Sequence, residues 1–268
     1  MNRAGRLLLS LLAVASLSAT AVACGAADKA PAHGAAASGL AAPDKKELAQ
    51  RLVSSAENST LDWRGQYGYI EDIDDGRGYT AGIVGFCTGT HDLLALVERY
   101  TRARPGNGLA RYLPALRAVD GTDSHEGLGH GFRAAWRAEA KVAAFRKAQD
   151  AERDRVYFDP AVRLAKGDGL GALGQFIYYD ALVMHGRSGL RDLRERAMRE
   201  ADTPAEGGSE KEYLDIFLDA RVARMRTERA HQDTSRVETA QRAFLYDGNL
   251  SLRTPLTWRV YGDTYRVP

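Results

Sequence analysis

The stretch from Leu170 to Met184 constrains the fold most, because it is apolar on nearly every side of a helix. A helix that is hydrophobic all round is normally buried, so we predict a long central helix inside the folded chain. Asp180 lies in the middle of this stretch. A lone buried carboxylate is costly, and Asp180 is therefore unusual for a helix of this kind.

Most of the remaining chain has helical periodicity. Asp44 and Glu47 have the spacing of a capping box, which predicts a first helix that ends at Glu57. Helical spacing returns after Thr90, and further amphipathic helices are predicted near 187–201 and 210–230.

One segment has a different texture. From Tyr69 to Phe86, a run of acids and glycines is followed by the alternating residues Tyr79, Ala81 and Ile83. This pattern predicts a turn with a short strand or hairpin, and it is the only persuasive β region in the sequence. The predicted class is mainly α with a small β element.

The beginning of the chain has the pattern of an export signal. Arg3 and Arg6 precede an apolar stretch, and small residues before Cys24 form a cleavage site, so we predict a signal peptide at 1–23 and a secreted, extracellular protein. Cys24 is a candidate for lipid attachment. Residues 24–42 are predicted to be a flexible tether that adds nothing to a core, and the domain is expected at 43–268.

The overall charge excludes some partners. The chain has 37 Lys and Arg against 35 Asp and Glu, and removal of 1–23 takes away two Arg and no acid, so the mature chain is formally neutral. Nucleic-acid binding needs a basic excess, and we expect none here. We predict no transmembrane segment in the mature chain and no disulfide, since Cys87 is the other cysteine.

Acids are concentrated in one part of the chain. Between residues 57 and 92 lie Glu57, Asp62, Glu71, Asp72, Asp74, Asp75 and Asp92. A solvated acidic face is the simplest interpretation of such a run. A cleft wall is the alternative, because Trp63, Tyr67, Tyr69 and Tyr79 alternate with the acids and suit the faces of sugars.

A pair of carboxyl groups could cleave a glycosidic bond. One protonated carboxyl serves the leaving oxygen, and one carboxylate either activates water or attacks directly. Glu57 at a helix end and Asp75 in a glycine-rich turn are the candidates for acid and base. We expect the apolar helical face before Glu57 to shield its carboxyl from water.

Several long motifs resemble glycoside hydrolase family 46, the bacterial endo-chitosanases with a two-lobed, lysozyme-like α fold. They are LVSSAENSTLDW from Leu52, YIEDIDDGRGYTAGIVGFCTGT from Tyr69, AERDRVYFDPAV from Ala151, GQFIYYDALVMHG from Gly174 and DTSRVETAQRAFL from Asp233. The resemblance runs from about Pro43 to the end of the chain. It implies inverting endo-hydrolysis of β-1,4 linkages between glucosamine units in chitosan.

The resemblance also assigns residues. It implies that Glu57 is the general acid, that Asp75 is the general base, and that Thr80 holds the attacking water. A buried network of Asp180, Arg221 and Arg236 would lie behind the acid and orient it. It places these residues along the sugar-binding cleft: Ser59, Tyr69, Arg77, Thr90, Asp92, Tyr157, His185, Glu228 and His231.

The chain departs from the family pattern at the edges of the cleft. Asp74 and His91 stand where relatives often have glycine, Gln232 follows His231 where an acid can occur, and a loop near Gly186 is shortened. These departures put affinity and cleavage pattern in doubt more than the reaction.

Other functions remain open at this point. An acidic cleft would attract the protonated amines of chitosan, but a muramidase or a non-catalytic surface lipoprotein that binds chitosan is also consistent with the fold. His185 and His231 lack the spacing of a metal site, so we predict no metal and no cofactor. We expect a monomer.

Overall fold

The structure is a computed structural model, and it describes residues 39–228 and 232–268. The α-helices are α1 (Pro43–Glu57), α2 (Asp92–Ala103), α3 (Leu113–Val119), α4 (Gly129–Glu139), α5 (Ala143–Arg153), α6 (Asp159–Gly167), α7 (Ala172–Ala197), α8 (Glu210–Thr227) and α9 (Arg242–Tyr246). The strands are β1 (Ile70–Asp72), β2 (Tyr79–Ala81), β3 (Phe86–Cys87), β4 (Leu256–Val260) and β5 (Asp263–Val267). π-Helical turns occupy Asp154–Phe158 and Val237–Gln241.

The described residues bury two hydrophobic cores, which define two lobes. The helical lobe has its core in residues 40–56 and 158–267, and the sheet lobe has its core in residues 63–145. The described residues therefore begin in the helical lobe, cross to the sheet lobe and return to the helical lobe. Tyr157, in the first π-helical turn, packs against both cores. The predicted mainly helical, two-lobed fold is confirmed.

Helix α7 is the predicted central helix. Every residue from Ala172 to Leu182 is buried, including Asp180 at 1 % exposure. The helix is interrupted at Gly186, which has φ +68° and ψ −177°. Glycine adopts this backbone conformation without the steric cost that a Cβ atom brings.

The sheet lobe contains the predicted β element. Strands β1, β2 and β3 form an antiparallel sheet in that order, with Thr80 opposite both Glu71 and Cys87. Residues from helices α2 to α5 pack against this sheet and form, together with it, the core of the sheet lobe. In the connection between β1 and β2, Ile73, Asp74 and Gly76 are exposed, whereas Gly78 is buried.

Two local predictions were wrong. The segment from 69 to 86 is not the only β region, since β4 and β5 form a second hairpin, in which Leu256, Trp258 and Val260 point into the helical core. The capping box is not formed either. Ala42 caps α1 without a side-chain bond, and both carboxylate oxygens of Glu47 accept from Arg64 at 2.9 Å instead.

The last residues of the predicted tether belong to the fold. Leu40 is fully buried in the helical core, and its backbone N–H donates to Gln175 at 2.9 Å. The prediction that 24–42 adds nothing to a core is therefore wrong for 39–42, because a single leucine there fills a place beside α7. The predicted signal peptide and Cys24 lie outside the described residues. Within 39–228 and 232–268, no helix is long and apolar enough to cross a membrane.

Candidate active site

A cleft of about 1030 Å³ lies where residues of both lobes meet. It brings together most of the residues that the sequence singled out, namely Glu57, Tyr69, Asp75, Arg77, Thr80, Thr90, Asp92, Tyr157, His185 and Arg236. Ser59 and Glu228 do not line it. His231 lies outside the described residues.

Glu57 is the last residue of α1, and its side chain is 28 % exposed in the cleft. The apolar face of α1 points into the helical core, so it does not shield this carboxyl as we expected. Arg236 lies beside it instead, with Nη1 2.6 Å from Oε1 of Glu57. The carboxyl of Glu57 is therefore held in place by a cation.

Arg236 is itself held by the buried carboxylate in the middle of α7. Its Nη2 contacts Asp180 at 2.7 Å, and its Nε donates to both oxygens at 3.0 Å. Arg221 contacts Asp180 at 2.7 Å and Gln241 donates to it at 2.6 Å. The structure thus joins Asp180, Arg221 and Arg236 behind Glu57, in the arrangement that the resemblance implies.

The charges in this network stabilise one another. Burial raises the pKa of Asp180, but the charges and hydrogen bonds of Arg236 and Arg221 outweigh it and hold that pKa well below its usual range. Burial alone would lower the pKa of Arg236, but Asp180 and Glu57 raise it well above its usual value. Asp180 and Arg236 are therefore an ion pair at any working pH.

Asp75 lines the same cleft from the sheet lobe, in the connection between β1 and β2. Its side chain is 13 % exposed, and Oδ2 accepts from Nε of Arg77 at 2.7 Å while Oδ1 accepts from the Arg77 backbone N–H at 3.1 Å. Gly76 and Gly78 flank Arg77 with φ of +80° and +67°, which allows this tight turn. Arg77 therefore orders the turn as well as lining the cleft.

Thr80 follows on β2 and is 8 % exposed. Its hydroxyl lies 3.3 Å from Sγ of Cys87, the residue opposite it on β3. Burial raises the pKa of Cys87, so this group stays a neutral thiol. The Thr80 hydroxyl is thus close to Asp75 along the chain and keeps capacity for a further hydrogen bond.

Asp92 anchors the back of the cleft at the start of α2. Its carboxylate accepts from the Cys87 backbone N–H at 2.9 Å, from Thr90 at 2.7 Å and from the hydroxyl of Tyr157. Burial raises the pKa of Asp92, although these hydrogen bonds act to lower it. The contact between Asp92 and Tyr157 links the sheet lobe to the π-helical turn that touches both cores.

His185 ends the helical part of α7 before the break. Its Nδ1 lies 3.3 Å from Glu228, and its Nε2 lies 3.5 Å from Nε of Arg221. Burial, followed by the charge of Arg221, lowers the pKa of His185 to about 3. The ring is therefore neutral at mildly acidic pH. Ser59 is exposed and contacts Tyr265.

The aromatic residues among the acids do not form the predicted cleft wall. Trp63, Tyr67 and Tyr79 are at most 7 % exposed and belong to the core of the sheet lobe, and only Tyr69 lines the cleft. The guanidinium groups of Arg64 and Arg153 both lie over the ring of Trp63, at 4.2 and 5.4 Å from its centroid. Alternation with acids was a poor guide, because the aromatic side chains face the core of the sheet lobe while acids such as Asp62 and Glu71 are exposed to solvent.

The cleft is also less acidic than predicted. Its carboxylates are Glu57, Asp75 and Asp92, whereas Asp62, Glu71, Asp72 and Asp74 do not line it. Four guanidinium groups line the same cleft, those of Arg77, Arg187, Arg191 and Arg236. Charge alone therefore does not explain a preference for a cationic substrate.

Sequence reasoning missed Tyr261. This residue lies in the turn between β4 and β5 with φ +52°, and it lines the cleft while 41 % exposed. Its side chain hydrogen-bonds Arg236, and its backbone N–H donates to Ser235 at 2.8 Å. A positive φ is uncommon for a bulky residue and is costly unless the surroundings hold it. The alternation from Leu256 to Val260 was the signal that could have located this turn.

Two departures from the family pattern have a structural explanation. Asp74 and His91 have φ of +56° and +69°, in the left-handed region that favours glycine. The backbone of Asp74 donates to Asp72 at 2.8 Å, and His91 pairs with Asp120 at 2.8 Å. Local bonds thus accompany both unfavourable conformations.

Two carboxyl groups that line one cleft from different lobes are the kind of pair that a glycoside hydrolase uses. A family model for glycosyl hydrolase family 46 matches residues 51–256. The chain belongs to this family.

Its relatives include a chitosanase from a Streptomyces species, which is 60 % identical over 87 % of this chain and 85 % of the relative. Among solved structures, a chitosanase complex is 57 % identical, with a TM-score of 0.85 over 87 % of this chain and all of that one. The family 46 chitosanase of Gynuella sunshinyii, solved with chitotetraose, is 34 % identical, with a TM-score of 0.78 over 83 % of this chain and 97 % of that one.

The described residues contain no group of three or more His, Cys, Asp or Glu side chains arranged like a metal site. The absence of a cofactor stays a prediction.

Proposed function

We propose that this chain is a chitosanase that cleaves β-1,4 linkages between glucosamine units inside chitosan chains. The observation that carries the proposal is the pair Glu57 and Asp75, which face one cleft from different lobes in a chain 60 % identical to a chitosanase. The names of the relatives favour chitosan over the peptidoglycan of a muramidase. Two carboxyl groups in one cleft favour catalysis over binding alone.

In this mechanism Glu57 is the general acid. Arg236 contacts Oε1, so Oε2 is the oxygen that can reach the glycosidic oxygen and donate a proton to it. As the bond breaks, Glu57 becomes a carboxylate, and Arg236 stabilises the negative charge that develops there. Asp180 keeps Arg236 in position for this task.

Asp75 is the general base. It takes a proton from a water molecule that attacks the anomeric carbon from the opposite face, and the hydroxyl of Thr80 holds that water. Single displacement of this kind inverts the anomeric configuration. Arg77 fixes the two oxygens of Asp75 through its Nε and backbone N–H, so that the carboxylate faces the water in one orientation.

The test follows the anomer released from a glucosamine hexamer by time-resolved proton NMR. We expect initial α product from the natural chain, a loss of nearly all activity in Glu57→Gln and Asp75→Asn, and a smaller loss in Thr80→Ala. Asp74→Asn is the matched control, because Asp74 is the neighbouring acid, does not line the cleft, and asparagine tolerates its positive φ.

Three results would count against this mechanism. Initial β product would show retention and remove the water-activating role of Asp75. Substantial activity in Glu57→Gln would remove its role as the acid. A natural chain that hydrolyses no glucosamine polymer would overturn the chitosanase proposal itself.

We also infer that the protein acts outside the cell as a monomer. The basic and apolar pattern of residues 1–23 supports export. Fractionation of expressing cells tests this, and recovery of the protein with membranes, abolished by Cys24→Ser, would indicate lipid attachment. Light scattering measures the mass of the exported protein, which is compared with the mass of one chain without residues 1–23.

A further inference from the structure

The four guanidinium groups that line the cleft are not equivalent. Arg77 is paired with Asp75, and Arg236 is paired with Glu57 and Asp180. Their positive charges are therefore balanced locally. Arg187 and Arg191 belong to neither pair, although they line the same cleft.

The break in α7 determines where these two residues lie. The helical course is interrupted at Gly186 and resumes at Arg187, and both residues line the cleft. Residues four apart on a helix share a face, so Arg191 follows Arg187 along the same side. The resumed helix thus presents a pair of cations at the cleft.

The two cations differ in how well they are compensated. Arg191 is 67 % exposed and lies 3.5 Å from Asp192 and 3.9 Å from Glu195, so its charge is partly balanced. In the described parts of the chain, no carboxylate lies within ion-pairing distance of Arg187. Asp192 is shared with Arg224 at 3.7 Å, and Glu228 is occupied by Arg224 at 2.7 Å.

An uncompensated guanidinium is unexpected in a cleft for a polycation. A protonated glucosamine unit next to Arg187 would be repelled. An N-acetylated unit is neutral, and its carbonyl oxygen can accept a hydrogen bond from a guanidinium N–H.

We propose that Arg187, with Arg191 beside it, makes this end of the cleft a subsite that selects an uncharged, N-acetylated unit of partly acetylated chitosan. The proposal rests on the proposed function. The enzyme would then accept a mixed polymer, with charged units near Glu57 and Asp75 and a neutral unit near Arg187.

The test compares Arg187→Glu with Arg196→Glu. Arg196 is an exposed arginine on the same resumed helix that does not line the cleft, so it controls for net charge and helix propensity. The measured quantity is kcat/KM for a fully deacetylated glucosamine hexamer divided by kcat/KM for partly acetylated chitosan. It is determined at about 0.01 M and about 1 M salt, where the Debye length is roughly 30 and 3 Å.

We expect Arg187→Glu to raise this ratio by about twofold to fivefold at low salt, the effect of one exposed charge pair, and by much less at high salt. Arg187→Ala should move it in the same direction by a smaller factor. In the products of Arg187→Glu, mass spectrometry should find fewer N-acetylated units at one fixed distance from the cleaved bond than in the products of the natural chain. Equal ratios for Arg187→Glu and Arg196→Glu at low salt would overturn the proposal.

A binding experiment separates this proposal from the proposed function. Calorimetry measures the affinity for the glucosamine hexamer in the Glu57→Gln background, with and without Arg187→Glu. If the natural chain hydrolyses nothing, the proposed function fails, but tighter binding by the double variant still supports the subsite. Unchanged binding refutes the subsite whatever the activity.

Discussion

Replacing Asp180 by asparagine removes one negative charge from a buried cluster that holds two guanidinium groups. Asp180 is 1 % exposed, and Arg221 and Arg236 are 0 % and 4 % exposed in their side chains. The variant keeps the volume of the side chain, but it removes the carboxylate that pairs with Arg221 and leaves Arg236 with Glu57 as its carboxylate partner. Breaking a buried ion pair in this way costs about 3–5 kcal/mol.

That cost is a large part of the stability of an ordinary domain, which is about 5–15 kcal/mol. Urea denaturation at neutral pH should therefore show a greatly reduced midpoint for Asp180→Asn. Asp44→Asn is the control, because that carboxylate is 74 % exposed, and its distance of 3.9 Å from Lys45 makes a weak pair. A loss below about 1 kcal/mol for Asp180→Asn would refute the reasoning.

The pH dependence of the difference is fixed by the depressed pKa of Asp180. A carboxyl whose pKa is lower in the folded state stabilises the fold fully above its unfolded pKa of about 3.9. This contribution is lost as the pH falls below that value towards the folded pKa. The gap between the natural chain and Asp180→Asn should therefore be constant from neutral pH to about pH 5 and narrow below about pH 4.

A positioning role for Asp180 predicts a second effect. Arg236 contacts Asp180 and Glu57 at the same time, so loss of the first contact frees the cation that holds the proposed acid. Below the unfolding temperature of the variant, kcat should fall at least about tenfold while KM changes much less, since the interaction acts in the transition state. Equal changes in kcat and KM would indicate a purely structural role.

The other predictions concern the edge of the fold and the rim of the cleft. Leu40→Ala should cost about 2–4 kcal/mol in urea denaturation, because Leu40 is fully buried, and a cost near zero would place residue 40 in the tether after all. Burial lowers the pKa of His185 to about 3, so between about pH 3 and pH 6.5 the unfolded chain binds a proton that the folded chain does not bind. The free energy of unfolding should therefore decrease as the pH is lowered through that range, and it should decrease less in His185→Gln. Tyr261→Phe removes a hydroxyl that hydrogen-bonds Arg236, and we expect kcat to fall about twofold to tenfold with the fold intact; unchanged kcat would limit Tyr261 to a structural role.

Hydrophobic periodicity predicted most of the helices and the first sheet, because the buried face of a helix or strand requires apolar residues at regular intervals in the sequence. The apolar stretch that contains Asp180 was recognisable as a central helix, since no exposed helix could be apolar on all sides. The alternation around Tyr79 likewise marked the sheet. In contrast, β4 alternates just as clearly at Leu256 and Trp258 but was overlooked, although its sequence held the signal.

The candidate site was harder to predict because its geometry depends on contacts between distant segments. Nothing local to Glu57 indicates that Arg236 will pair with it, since the two residues are 179 positions apart in the sequence. The family motifs supplied this information, and spacing did not. The aromatic residues near the acids misled for the same reason, because helices from elsewhere cover Trp63 and Tyr67.

The two proposed catalytic carboxyl groups are carried by different lobes, and this has a consequence for engineering. Glu57 ends a helix of the helical lobe, and Asp75 lies in a turn of the sheet lobe. Carboxyl groups roughly 5–5.5 Å apart give retention, and those roughly 6.5–9.5 Å apart give inversion. If these two groups are the acid and the base, the stereochemical outcome depends on the spacing of the two lobes, and Tyr157 packs against the cores of both. To change the anomer that is released, the spacing of the two lobes would have to be redesigned, and both carboxylates could stay unchanged.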